Sequence, residues 1–223
     1  MEMLQPSQMV VGMIRLELNR LMAMASTRFR QKLREKILSY KPDFNLEILD
    51  IGLNQFQEAD CKAGEDIVEV GEACNKIFFV ENSICRCYFL NKNGEEKTLW
   101  LEPEMSFISD YESFNLQLKS KCNIYLYQNS LVFSIERENL FQLYTTYHEW
   151  ALVGIAIMED HFLNLFKITT TIHFNNAITN YELIESIFSQ FLEVVPMKHL
   201  ASWFNISPVH LSRIRTEKLK SLT

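Results

Sequence analysis

Met197-Lys-His-Leu-Ala-Ser-Trp-Phe-Asn-Ile-Ser-Pro-Val-His-Leu-Ser-Arg-Ile-Arg215 decides how the chain is read. Two short helices that cross steeply need a small residue where their axes meet, and Ala201 stands there. The turn between them needs a residue that tolerates left-handed backbone geometry; Asn205 is one of the few besides glycine that does. Leu200, Phe204, Ile206, Leu211 and Ile214 fall at the offsets of a shared apolar core, and Ser207-Pro208 supplies an N-cap and an N1 proline for the second helix. This is the pattern of a helix-turn-helix.

Such a motif places the N-terminal turns of its second helix in the major groove of double-stranded DNA. The outward side offers Val209, His210, Ser212 and Arg213. Arg213 is the candidate base reader, because a guanidinium bonds guanine O6 and N7 together. Lys198, Ser207, Arg215 and Lys218 suit phosphates, which position a protein without reading sequence. Charge agrees: from Val195 onward five cations (Lys198, Arg213, Arg215, Lys218, Lys220) oppose Glu217, a balance of +4. With the whole chain at −6, the preceding residues carry −10. An acidic body with a basic end suits a localised DNA contact.

Upstream, the period of the apolar residues changes twice. Ser26-Thr27 caps a helix bearing Phe29, Leu33 and Ile37, and a shorter helix after Pro42 carries Leu46, Leu49 and Leu53. From Cys61 the period is two: Ile77 and Phe79; Cys85, Cys87 and Phe89; Leu99 and Leu101; Ile124 and Leu126; Leu131, Phe133 and Ile135. Turn signals separate these strands, the firmest being Asn93-Gly94. Between about Tyr147 and Ile168, Ala151, Ile155, Met158, Phe162 and Leu165 form a heptad-type seam, which reads as a dimer interface or as the face of a helix packed on its own sheet, the former favoured. Trp150, Leu152 and Phe166 are expected to supply a second face for the sheet. A further amphipathic helix over Tyr181–Leu192 precedes Val194-Val195-Pro196.

The composition excludes several classes. The five cysteines (Cys61, Cys74, Cys85, Cys87, Cys122) contain no CxxC pair, so neither a disulfide framework nor a metal site is indicated, and they read as reduced thiols of a cytoplasmic protein. No cofactor is called for. No run approaches the ~18 apolar residues of a membrane span, and no signal peptide is evident. None of His148, His161, His173, His199 and His210 lies in the strand region, which argues against a metal-dependent enzyme on a β-barrel.

Lys62-Ala-Gly-Glu-Asp-Ile-Val-Glu-Val-Gly-Glu72, Asn75-Lys-Ile-Phe-Phe-Val80, Lys97-Thr-Leu-Trp100, Phe107-Ile-Ser-Asp-Tyr-Glu-Ser-Phe114 and Leu211-Ser-Arg-Ile-Arg215 follow in an order that resembles the Crp/Fnr family of bacterial transcription regulators. The resemblance runs from about Phe29 to Lys220. It implies an α+β chain: an N-terminal antiparallel β-roll of cyclic-nucleotide-binding type with flanking helices (26–146), a long dimerisation helix (147–170) and a C-terminal helix-turn-helix domain (171–223). Residues 1–25 are an extension without counterpart, either an arm or a start assigned too early. Members that bind cyclic nucleotide carry Gly-Glu in a phosphate-cradling turn and an Arg further on. Here Ser109-Asp110 and a position near Ser120 replace them, so cyclic nucleotide is not expected to bind, although Asp110 retains the capacity to accept a ribose hydroxyl. The expectation is a homodimeric DNA-binding regulator, not an enzyme, whose small-molecule effector, if one exists, is unidentified. The alternative is a sensor or scaffold module that keeps the roll without DNA binding.

Overall fold

The computed structural model describes residues 28 and 30–221; the 1–25 extension, the Ser26-Thr27 cap and Phe29 lie outside the described residues. Helix α1 (residues 30–40) buries Leu33 and Ile37, one turn apart. Helix α2 (Leu46–Leu53) starts at Asn45, whose side chain accepts from the Glu47 and Ile48 amides at 2.9 and 3.3 Å, and it buries Leu49 and Leu53 while leaving Leu46 exposed.

Eight strands follow: β1 (Gln57–Cys61), β2 (Asp66–Val68), β3 (Lys76–Val80), β4 (Cys85–Leu90), β5 (Glu96–Glu102), β6 (Ser106–Ile108), β7 (Asn123–Leu126) and β8 (Ser130–Glu136). They make two four-stranded antiparallel sheets, β1-β8-β3-β6 and β2-β7-β4-β5. Val80, Ile108 and Val132 of the first meet Cys85, Cys87, Trp100, Ile124 and Leu126 of the second in a core between them. The opposite face of the first sheet carries Phe79, Phe107, Phe133 and Ile135 into a separate helical core. That sheet is therefore buried on both sides, which is why Ile77-Phe-Phe-Val80 is a continuous apolar run.

The β4–β5 hairpin turns at Asn91–Glu95, where the Asn91 side chain accepts from the Asn93 and Glu95 amides at 2.9 and 3.0 Å. Gly94 alone takes the positive φ there, at 77°. The expected Leu99/Leu101 alternation does not hold. Cys87 faces Trp100 and Tyr88 faces Thr98, so Leu99 is the extra residue of a bulge and is exposed, whereas Leu101 is buried.

Helix α3 (Tyr111–Leu116) sits between β6 and β7, and α4 (Arg137–Thr146) leads into the 27-residue α5 (His148–Phe174). Trp150 and Val153 of α5 are buried in the helical core with Ile157 packed against it; the Trp150 indole N–H donates to the Ile48 carbonyl at 3.0 Å. The indole lies directly on Gly52, where any Cβ would fall inside the ring. Leu152 and Phe166, expected to face the sheet, are exposed instead. At about 100° per residue both lie nearly opposite Trp150 on the helix, so they cannot share its face.

The single helix expected over Tyr181–Leu192 is two, α6 (Ala177–Ile187) and α7 (Ser189–Val194). They are broken at Phe188, whose ring stacks on Phe191 with centroids 4.8 Å apart. Helices α8 (Met197–Trp203) and α9 (Pro208–Ser221) are the last of the described elements. Together α6–α9 enclose a third core that also takes in Ile84 and Leu101 of the roll.

The α8 helix docks on β5 through a polar seam beside those apolar contacts. The Thr98 amide donates to Ser202 Oγ at 3.0 Å and the Thr98 hydroxyl to the His199 carbonyl at 3.1 Å. Arg86, only 2% exposed, donates from Nε to Thr98 Oγ1 at 2.9 Å and from Nη1 to Glu96 at 2.6 Å. Burial, reinforced by Arg86 and Lys198 and opposed by Glu96, pushes the His199 imidazole down to about 4. Neutral His199 shares a hydrogen bond between Nδ1 and the Tyr127 hydroxyl, 2.8 Å away, and turns Nε2 towards Glu96 at 3.4 Å. Because the folded value lies below the ordinary 6.5, this group's contribution to stability is complete above pH 6.5 and is lost as the pH falls from 6.5 through about 4. The urea midpoint is expected to drop between about pH 7 and about pH 5, and His199→Gln to flatten that drop. An unchanged pH slope in His199→Gln would show that another group carries it.

Candidate functional site

Two regions bear on function: the turn where a nucleotide phosphate would sit in the roll, and the outward surface of α8 and α9. In the first, Asp110 is the N-cap of α3. Its Oδ1 accepts from the Glu112 and Ser113 amides at 3.1 and 3.2 Å, and its Oδ2 accepts from the Ser120 hydroxyl at 2.6 Å. Both carboxylate oxygens are engaged inside the chain. A fixed carboxylate already meets the N-terminal amides of α3 where an anion would otherwise be drawn. The Ser109 hydroxyl donates to the Lys76 carbonyl at 2.8 Å, and Ser109, Ser113 and Ser120 are all buried. Lys121, flanking the position of the missing Arg, is bonded to Glu112. The turn is closed by its own side chains.

In the second region the backbone follows the chemistry read from the sequence. Asn205 has φ 54°, inside the left-handed region, and the Ile206 amide donates to the Ala201 carbonyl at 3.0 Å to close the turn. Ser207 Oγ accepts from the His210 amide at 3.2 Å, and α9 starts at Pro208. Leu200, Ala201, Phe204, Leu211 and Ile214 are buried together, with Ile206 packed against them. Val209, His210, Ser212, Arg213 and Arg215 are exposed on α9, as are Lys198 on α8 and Ser207 at the cap. Thr216, which the sequence reading passed over, lies one turn beyond Ser212 on the same outward side, its hydroxyl donated to the Ser212 carbonyl at 2.9 Å.

Lys218 stands apart from the other expected phosphate contacts. Its ammonium is bonded to Glu185 of α6 and lies 5.6 Å from the Tyr181 ring centroid, and the Glu185 hydrogen bond raises its pKa. It follows Leu211 by seven residues and Ile214 by four, so the helical repeat turns it to their side. Lys218 braces α9 against α6.

On α5, Ile155, Met158, Phe162 and Leu165 of the expected seam are exposed, Phe162 to 63%, and Ala151 is half-buried. Leu152, Leu163 and Phe166 widen the apolar surface, and Phe162 stacks with Phe166 at 6.2 Å. Beside the seam lies an apolar groove of about 560 Å³ walled by Ile77, Tyr111, Phe114, Phe141 and Tyr144.

No protein-family model and no curated protein sequence matches the chain. Solved structures do. FixK2 from Bradyrhizobium japonicum aligns over 74% of this chain and 85% of its own, with a TM-score of 0.60 and 10% identity. The c-di-GMP-responsive global regulator CLP of Xanthomonas campestris aligns over 79% and 92%, with a TM-score of 0.61 and 13% identity. A putative transcriptional regulator of the Crp/Fnr family from Eubacterium rectale aligns over 82% and 88%, with a TM-score of 0.60 and 15% identity. The class is thereby defined: an α+β chain with antiparallel sheets and several helices, in the fold of the Crp/Fnr regulators and their cyclic-nucleotide-binding-type roll. Among the described residues, no helix is long and apolar enough to cross a membrane.

The closed turn makes a direct prediction. Cyclic AMP and cyclic GMP are expected to give no binding heat in calorimetry, because a phosphate would have to displace the Asp110 carboxylate and would find no bidentate Arg clamp. A micromolar or tighter dissociation constant would show that Asp110 yields its place.

Proposed function

We propose that the chain is a transcription regulator that binds double-stranded DNA sequence-specifically as a homodimer, with a roll whose nucleotide site is self-filled. The observation that carries this reading is the α8–α9 pair. Its apolar offsets are buried, its turn residue is left-handed, and its α9 outer side presents Val209, Ser212 and Arg213 to solvent at the basic end of an acidic chain. A helix-turn-helix needs that division between a buried and a bare side. Arg213 reads a base edge beside Val209, His210 and Ser212, and Lys198, Ser207 and Arg215 flank it for phosphate contacts; Lys218 acts by holding α9 in place. The domain plan is a roll with flanking helices (26–146), a dimerisation helix (expected over 147–170 and extended by α5 to Phe174) and a DNA-binding domain in the residues that follow.

The second copy packs along α5. Eight exposed large apolar side chains on one helix (Leu152, Ile155, Met158, Phe162, Leu163, Leu165, Phe166 and Phe174) form a surface of the kind that partners cover, and the adjoining groove extends it onto the roll. Burying one Phe or Ile contributes roughly 1.5–3 kcal/mol, so an Ile155→Glu, Phe162→Glu double variant is expected to sediment as a folded monomer. Undiminished dimer affinity in that variant would place the interface elsewhere.

On DNA, Arg213→Ala is expected to lose roughly 1–3 kcal/mol on the preferred site and to relax the choice at one base pair. Arg215→Ala should instead weaken all sequences about equally and flatten the salt dependence by about one unit of slope. Fluorescence anisotropy on matched and scrambled duplexes over a range of salt measures both. Equal weakening of the two duplexes by Arg213→Ala would make Arg213 a phosphate contact, and no binding by the intact chain would overturn the DNA-binding reading.

A further inference from the structure

We infer that Val209 reads the C5-methyl group of a thymine close to the guanine edge assigned to Arg213, so that the preferred DNA site carries an A·T pair at that position. The inference deepens the DNA-binding reading and rests on it.

Direction on the helix carries the argument. Leu211 and Ile214 are buried and Lys218 is tied to Glu185 of α6, so these three mark the inward side of α9. At about 100° per residue, their mean direction lies about 170° from Val209. Val209 therefore points almost straight out from the core, about 40° from Arg213 and about 60° from Ser212. It also stands in the first turn of α9, which begins at Pro208, and the N-terminal turns of a recognition helix are the ones that reach base edges. Thr216 points the same way two turns further on, but its hydroxyl is donated to the Ser212 carbonyl.

The needs of the chain itself do not place a valine there. Among the described residues of α9, Val209 is the exposed large hydrophobic, at 62%, with exposed His210, Ser212 and Arg213 around it. A β-branched side chain is a poorer helix former than Ala, Gln or Glu, so the first turn gains nothing from it. Single exposed apolar side chains are common on protein surfaces. This one is set apart by its direction, towards the floor of the groove.

An isopropyl group restricts what it can face. In the major groove guanine presents N7 and O6, adenine N7 and its N6 amino group, and cytosine its N4 amino group; thymine alone adds a methyl. Two Val methyls laid on guanine, adenine or cytosine would take a donor or an acceptor from water without replacing its hydrogen bond. Laid on thymine, they bury a methyl instead. The register follows from the same helix: Val209 precedes Arg213 by one turn, roughly 6 Å along the axis. That is about two base steps of ~3.4 Å, which puts the thymine within about two base pairs of the guanine.

The test uses the intact chain and a pool of duplexes with a randomised centre, from which the preferred site is selected. Each thymine of that site is then exchanged for deoxyuridine, which removes the C5-methyl and leaves the pairing unchanged, and affinity is measured by fluorescence anisotropy. One thymine per half-site, within about two base pairs of the guanine whose selectivity Arg213→Ala removes, is expected to lose roughly fourfold on exchange, the worth of one buried methyl. In Val209→Ala, a change at an exposed position, the same exchange is expected to cost less than roughly twofold. If a site is selected and bound but no exchange separates the wild-type chain from Val209→Ala, the inference is overturned and the DNA-binding reading stands. If no site is enriched, that reading fails and the inference falls with it.

Discussion

The β1-β8-β3-β6 sheet has no face to give to water. Val80, Ile108 and Val132 point to the second sheet, while Phe79, Phe107, Phe133 and Ile135 point away from it, and each of the seven is buried. Leaving four such side chains bare would forfeit several kcal/mol, at roughly 1.5–3 kcal/mol each. The outer face therefore requires a helical cover, which α1, α2, α4 and the first turns of α5 supply. The site follows from this requirement. Trp150 and Val153, seated on that face beside Gly52, fix where α5 starts and how it is rotated. Its far side then carries Ile155, Phe162 and Phe166 outward as a bare apolar stripe. One packing demand near residue 150 thus sets the surface along which a second copy is proposed to join.

The helical end of the chain is held by a different kind of contact. Ile84 and Leu101 contribute apolar surface, but orientation comes from hydrogen bonds that have geometry: Thr98 to Ser202 and to the His199 carbonyl, Arg86 to Thr98 and Glu96, Tyr127 to His199. A buried guanidinium is costly unless its partners stay in place, so this seam favours one docking pose over its neighbours more than it adds net stability. It joins β5, at the edge of the roll, to the first helix of the pair that is proposed to grip DNA. The self-filled turn at Asp110 lies in the same roll. There the Asp110 carboxylate accepts from the first amides of α3 and from the Ser120 hydroxyl.

Much of this could be read from the chain before folding, wherever the signal is local. Asn205, Ser207-Pro208 and the spacing of Leu211 and Ile214 specify a turn and a cap through backbone sterics and short hydrogen bonds, and the structure repeats them residue by residue. The β-roll was readable from alternation and from Gly94. The departures also have local causes. Leu152 and Phe166 face outward because the helical repeat opposes them to Trp150, and the same repeat sets Lys218 above Leu211 and Ile214, where it pairs with Glu185.

Other features had no local signal at all. Nothing near Arg86 in the sequence announces that its guanidinium will be sealed beneath α8, since its hydrogen-bond partners Glu96 and Thr98 come from the next strand and Thr98 in turn donates to the His199 carbonyl at the far end of the chain. Asp110 reads as a free acceptor until Ser120 is folded against it. Caps, turns and periodicity depend on neighbours a few residues away, which the order of residues already specifies. Burial, desolvation and the pairing of distant groups depend on which surfaces the whole chain can cover, and the folded structure alone decides that.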